Sequence, residues 1–252
     1  GYVDDVHGWN TLNEGGNLVD DDHGHGTHVS GIIAANGNNE RGIAGMAWGS
    51  RLMVVKVLDQ NGDGYYSGLA AGLVYAADNG ARVANLSLGG SVPSQMLEEA
   101  IDYAHAHGML VVVSAGNTSS DIQYPAAYDN ALAIAASTRY DARASYSCYG
   151  PEMDLVAPGS SIYSTCVGDS YCYKSGTSMA APHVAGLAAL LFSQHPGLSP
   201  DQVAQLLKIT AQDLDDPGWD PYTGWGRIDA YHAVARIQAR FHYYLPMIWV
   251  NK

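Results

Sequence analysis

Met109-Leu-Val-Val-Val-Ser-Ala115 carries apolar side chains at every position from Met109 to Val113, not at alternate ones. A strand with one wet face alternates, so this run is expected to be covered on both faces, as strands of parallel α/β sheets are. Immediately upstream, Gly108 closes a helical pattern that runs from about Pro93, where proline suits a first turn, to His107. Further upstream, Val83 to Leu88 is strand-like, and Ser67 to Asn79 is apolar at helical spacing and closed by Asn79-Gly80. Leu52-Met-Val-Val-Lys-Val-Leu58 is again strand-like. Downstream, Ser119 to Tyr173 changes to short strands and turns, and a long apolar helix begins near Ser178. Repeated strand–helix–strand units predict an α/β fold of three α/β/α layers around a doubly wound, mostly parallel sheet.

Composition agrees. Of 252 residues, 47% are apolar and 15% charged, which supplies a sizeable core and excludes disorder. The 12 Lys and Arg against 25 Asp and Glu leave a net charge of −13, excluding nucleic acid and anionic membrane surfaces as main partners. No apolar run approaches the roughly 20 residues of a membrane span. Three cysteines are too few for a disulfide scaffold. Cys166 and Cys172 flank Val-Gly-Asp-Ser-Tyr, a hairpin tip where a disulfide is sterically allowed and would fit secretion, leaving Cys148 free. No repeat or linker precedes residue 237, so one domain over 1–236 and a C-terminal apolar, aromatic extension over 237–252 are expected.

Three segments carry chemistry. In Gly176-Thr-Ser-Met-Ala-Ala-Pro-His-Val-Ala-Gly-Leu-Ala-Ala-Leu-Leu-Phe192, Ser178 opens a helix that is apolar or small almost all round, hence buried. The positive end of the helix dipole beneath it favours a developing oxyanion. An ordinary cap explains most serines at helix starts; the surrounding pattern sets this one apart. In Asp22-His-Gly-His-Gly-Thr-His-Val-Ser-Gly31 a loop enters a helix closed by Asn36-Gly37, and a His at that end is kept neutral and basic. The spacing of His23, His25 and His28 also resembles the zinc motif of metallo-β-lactamase-type hydrolases, but Thr27 stands where that motif has Asp. Gly62, Gly64 and Gly68 are one residue too long for a dinucleotide fingerprint. In Val113-Ser-Ala-Gly-Asn117 an Asn follows a buried strand, at the sheet end where open α/β folds place their sites, with a side-chain N–H to offer an oxyanion.

Together, His25-Gly-Thr-His28, Ser114-Ala-Gly-Asn117 and Gly176-Thr-Ser-Met-Ala-Ala-Pro-His183 resemble the subtilisin-type serine proteases (subtilases), in that family's order. The resemblance reaches about Val234 and includes Gly224-Trp-Gly-Arg-Ile-Asp-Ala230, a common closing segment. It implies a serine endopeptidase acting on polypeptides, with Ser178 as nucleophile, His25 as general base and then acid, and Asn117 in the oxyanion hole. His28 and His183 become helix residues packed near the site. The family's third member is an Asp in a hydrophobic-Asp-Thr/Ser-Gly segment well before the catalytic His. No such segment occurs here, and Asp4, Asp5, Asp20 and Asp21 lie in loop sequence, so the catalytic Asp and its strand are expected upstream of Gly1. A catalytically inactive subtilase-like binding or structural domain is the alternative.

The resemblance also implies an extended peptide bound between two backbone edges, Gly62-Asp63-Gly64 and Ser87-Leu88-Gly89. Ala115 and Gly116 would wall a roomy first pocket based on Gln123-Tyr124-Pro125, giving broad specificity for large uncharged side chains. No cofactor is required for the chemistry. Structural calcium is an option at Asn36-Gly-Asn-Asn-Glu40 or Asp59-Gln-Asn-Gly-Asp63, but neither run differs from an ordinary Asn/Gly turn, and no metal ligand is assigned. A secreted monomer is expected.

Overall fold

Among the described residues, four strands form the central sheet, β3 (Val83–Leu86), β4 (Leu110–Ser114), β5 (Ala131–Ser137) and β6 (Met153–Pro158), in the order β3-β4-β5-β6, all parallel. The computed structural model describes residues 8–12 and 19–242, with side chains through 238. A second, two-stranded parallel piece pairs β1 (Trp9–Asn10) with β2 (Val55–Lys56), and an antiparallel hairpin joins β7 (Ile162–Cys166) to β8 (Ser170–Lys174). The helices are α1 (His25–Ala34), α2 (Tyr66–Asp78), α3 (Gln95–Ala106), α4 (Thr177–Gln194), α5 (Pro200–Thr210) and α6 (Ala230–His242).

β4 explains the layering. Val111 and Val113 point into one core with Leu69 and Leu73 of α2 and Leu97 and Ile101 of α3. Leu110 and Val112 point into the other, with α4, Val203 and Leu207 of α5, and Ala233 and Ile237 of α6. Alternate side chains thus enter opposite apolar layers, which is why the run has no polar phase. The structure is the expected three-layer α/β/α fold.

Several details differ from the sequence reading. β5 is a fully buried strand of seven residues inside the stretch expected to hold only short strands and turns. Its Ala-rich composition, Ala-Leu-Ala-Ile-Ala-Ala-Ser, lacks the β-branched signal that marks strands. Conversely, Leu52–Leu58 contributes only the two residues of β2. β2 bonds β1 on one side, where Trp9 N–H donates to Val54 O at 2.9 Å, but it is not a hydrogen-bonded neighbour of β3. α5, not among the expected elements, is opened by a capping box in which Ser199 and Gln202 satisfy each other's backbone N–H. α6 runs through position 237, where Ile237 is in the core. Asp4 and Asp5, and the chain after His242, lie outside the described residues.

Candidate active site

Ser178 is the second residue of α4, half-buried, at the end of the helix where backbone N–H groups lack intrahelical acceptors. Asn117, three residues beyond β4, is tied to the same turn. The Thr177 N–H donates to Asn117 Oδ1 at 2.8 Å, and Thr177 Oγ1 donates to the same oxygen at 3.1 Å. With its oxygen committed, the side chain can present only Nδ2 outward, so the amide is oriented as a donor. Gly116 N–H donates to Thr177 Oγ1 at 3.2 Å, closing the link between the strand end and the helix. Ser178 Oγ donates to Ser87 O at a long 3.3 Å.

His25 is the first residue of α1, behind Gly24 in the left-handed conformation at φ 81°. Asp21 caps this end: its carboxylate accepts from the N–H groups of His23, Gly24 and Thr27 at 3.2, 2.6 and 2.6 Å. Burial pushes the Asp21 pKa up, but hydrogen bonds from Thr27, Gly24 and His23 outweigh it and hold the group below its ordinary value. Asp22 pairs with Lys56 at 2.6 Å. Neither carboxylate is spent on the imidazole, and among the described residues His25 makes no side-chain hydrogen bond. Burial first, then the charges of Lys174 and His23, lower the His25 pKa to about 4, against a smaller opposing pull from Asp21.

The β7–β8 hairpin holds α1 in place. Lys174 Nζ donates to Gly24 O at 2.9 Å, Thr165 Oγ1 to Thr27 O at 2.8 Å and Ser164 Oγ to His28 O at 2.8 Å. Gly31 makes this approach possible, because a Cβ there would lie 2.2 Å from Thr165 Oγ1 and 2.5 Å from Ser164 Oγ. His28 is fully buried and returns the contact, its Nε2 lying 3.1 Å from Ile162 O and 3.2 Å from Cys172 O. Since carbonyls only accept, the proton sits on Nε2. Cys166 and Cys172 are joined as a disulfide across the tip, and Cys148 is free and buried. Signals for this clamp exist in the sequence only as a Ser-Thr-Cys and a Cys-Tyr-Lys run, far from His25 along the chain.

A cleft of about 1660 Å³ brings together His25, Gly62, Asp63, Gly64, Ser87, Leu88 and Gly89. Val55, Lys56 and Val57 on the β2 side and Asn85 on the β3 side line the same cleft, so it also separates the two sheet pieces. Ser178 adjoins it through Ser87. Ala115 and Gly116 are buried behind, and Gln123 N–H donates to Ala115 O at 2.9 Å. Gly116, at φ 110°, lets the Gln123 side chain pass within 2.8 Å of where a Cβ would be, and a Cβ on Gly89 would lie 3.2 Å from Gln123 Oε1. Gln123 therefore lies against both the Ser87–Gly89 and the Ala115–Gly116 edges, with a cis peptide at Tyr124-Pro125 behind it.

The sequence model of the subtilase family (peptidase S8) matches residues 1–226. The chain belongs to the subtilase family. A thermophilic serine proteinase of Bacillus sp. (strain AK1) is 47% identical over 228 residues, covering 88% of this subtilase and 56% of that protein. Thermitase of Thermoactinomyces vulgaris is 45% identical over 227 residues, 87% of this chain and 80% of thermitase. Subtilisin BL of Lederbergia lenta is 49% identical over 195 residues, 77% and 72% of the two chains. The subtilase chain therefore spans little more than half of one curated relative and about four-fifths of another. A protease from Pseudoalteromonas arctica superposes with a TM-score of 0.77 at 37% identity, covering 84% of this chain and 70% of that one. By family the chain is a subtilisin-type serine endopeptidase domain.

One of the three histidines of the zinc reading is engaged elsewhere. His28 Nε2 is committed to two carbonyls, and among the described residues no three His, Cys, Asp or Glu side chains converge as a metal set. In the two runs considered for calcium, Asp59 accepts from the N–H groups of Asn61 and Asp63, and Asn39 Oδ1 from that of Arg41. No helix among the described residues is long and apolar enough to cross a membrane.

Proposed function

We propose that this chain is the catalytic domain of a secreted serine endopeptidase that cleaves extended polypeptides through an acyl-enzyme on Ser178. The supporting observation is that two helix N-termini, carrying His25 and Ser178, adjoin one cleft beside an Asn117 amide whose oxygen is already held. Ser178 Oγ attacks the scissile carbonyl carbon as His25 takes its proton. Asn117 Nδ2 and the N-terminal N–H groups of α4 receive the oxyanion, and the imidazolium returns the proton to the leaving amine. Gly62-Asp63-Gly64 and Ser87-Leu88-Gly89 flank the substrate backbone, and Ala115, Gly116 and Gln123 bound a pocket for large uncharged side chains. The disulfide suits an oxidising compartment.

The imidazole still needs a carboxylate to fix its tautomer. A strand from outside the described residues, seated between β2 and β3, would enter the cleft beside His25 and is the proposed carrier of that Asp. The absence of a carboxylate on His25 among the described residues is also what favours the second reading, an inactive subtilase-like binding domain. A serine-directed fluorophosphonate applied to the complete protein decides between them. Labelling at Ser178, lost in Ser178→Ala, is expected; labelling elsewhere, or none, overturns the endopeptidase reading.

A further inference from the structure

Pro182 cuts the hydrogen-bond ladder of α4 at a single carbonyl. A proline has no N–H, so it cannot donate to the residue four positions earlier, which is Ser178 itself. That carbonyl is taken up from the sheet: Ser87 Oγ donates to Ser178 O at 2.8 Å. Ser87 Oγ in turn accepts from Asn85 Nδ2 at 3.0 Å, and the Ser87 carbonyl receives the Ser178 hydroxyl. Asn85 sits within β3, paired in register with Val112 of β4, and Ser87 lies just past the strand's end. Asn85 Oδ1 is buried and without a hydrogen-bond partner among the described residues, so the amide is held here by its Nδ2 end.

We infer that Ser87 and Asn85 are positioning residues for Ser178. The relay from Asn85 Nδ2 to Ser87 Oγ to the Ser178 carbonyl anchors the backbone of the nucleophile to the sheet where the proline has released it from its own helix. This gives the Ser87 side chain a role beyond the backbone edge proposed for substrate, and it rests on the reading of Ser178 as nucleophile. Displacing a reacting group by about 1 Å costs on the order of 10²-fold in rate. Losing the relay should therefore slow acylation and leave ground-state binding alone.

The test is the acylation rate of the complete protein with an activated ester, with kcat and KM on a peptide anilide and a thermal melt for each variant. Ser87→Ala should lower kcat by about 10- to 100-fold at a KM within about twofold of wild type. Ser87→Thr keeps the hydroxyl and should restore most of the rate. Pro182→Ala supplies an N–H four residues on from Ser178, so Ser87→Ala should cost far less in that background than alone; a merely structural loss would add instead. Should Ser87→Ala melt without cooperativity, Asn85→Ala reads the same relay from its other end, with a several-fold fall in kcat expected. Unchanged acylation in Ser87→Ala, or additive losses with Pro182→Ala, overturns the positioning role while leaving Ser178 as nucleophile. A wild-type protein that is not acylated at Ser178 overturns both.

Discussion

The two halves of the site are held by different means. Around Ser178, every partner comes from the sheet ends and the first turn of α4: Asn117, Gly116, Thr177 and Ser87 are joined in one hydrogen-bonded unit. Around His25, the partners come from afar. A hairpin stapled by Cys166–Cys172 grips the carbonyls of α1, Asp21 is consumed in capping it, and the imidazole itself is uncommitted. The Ser178 half is thus held by neighbours in the main core, whereas the His25 half depends on a peripheral clamp. Preorganisation of oxyanion donors is where most catalytic advantage resides, because they need no rearrangement when charge develops.

The comparison can be broken experimentally. Ser178→Ala in the complete protein should abolish turnover, a loss on the order of 10⁶, the magnitude known for subtilisin's own nucleophile and borrowed from it. Peptidase assay of the purified variant checks this. Asn117→Ala should lower kcat by about 10²–10³ with little change in KM, again a figure borrowed from the subtilisin donor. A KM rise at constant kcat would make Asn117 a ground-state contact and undo the contrast between the halves.

On the other side, replacing both Cys166 and Cys172 by serine should cost about 2 kcal/mol of stability, the entropy of closing so short a loop. Denaturant unfolding measures it, and hydrogen exchange should show the opening concentrated in α1 and the hairpin, with α4 unaffected. Asp21→Ala should cost about 1 kcal/mol through loss of the α1 cap, and no more in catalysis than the frayed helix imposes. A loss on the order of 10⁴ would instead make Asp21 the carboxylate that serves the imidazole.

The smallest effect near neutrality concerns protonation. His25 titrates at about 4 in the fold against 6.5 when exposed, with burial as the leading cause. The unfolded chain therefore binds the proton first on acidification. Stability from this group is fully present above pH 6.5 and is lost as pH falls from 6.5 towards 4. His28 and His183 are lowered in the same sense, mainly by burial. NMR titration of the imidazoles checks this, and Lys174→Met should raise the His25 value. A wild-type value near 7 would mean that a carboxylate already faces the ring.

Much of the architecture could be read from the residues. The doubly apolar Met109–Val113, the glycine stops after α2 and α3, and the small, apolar α4 each encode local structure through side chains in contact with the backbone that they shape. β5 escaped because alanine favours helix over strand, and its burial comes from β4 and β6 on either side. The motifs proposed to carry the chemistry were legible because each sits within a few residues of a helix start or strand end.

What sequence alone determined is the identity of the chemical groups and the local turns that expose them: Ser178 and His25 at helix N-termini, and Asn117 after a buried strand. Only the tertiary structure decided their commitments. Asn117 is turned by Thr177, Asp21 is spent on α1, and Ser87 replaces the donor that Pro182 lacks. His28 is locked against a hairpin more than a hundred residues away. Local sequence sets backbone preference and the supply of donors and acceptors. Which donor meets which acceptor is fixed when buried polar groups must all find partners in the folded chain.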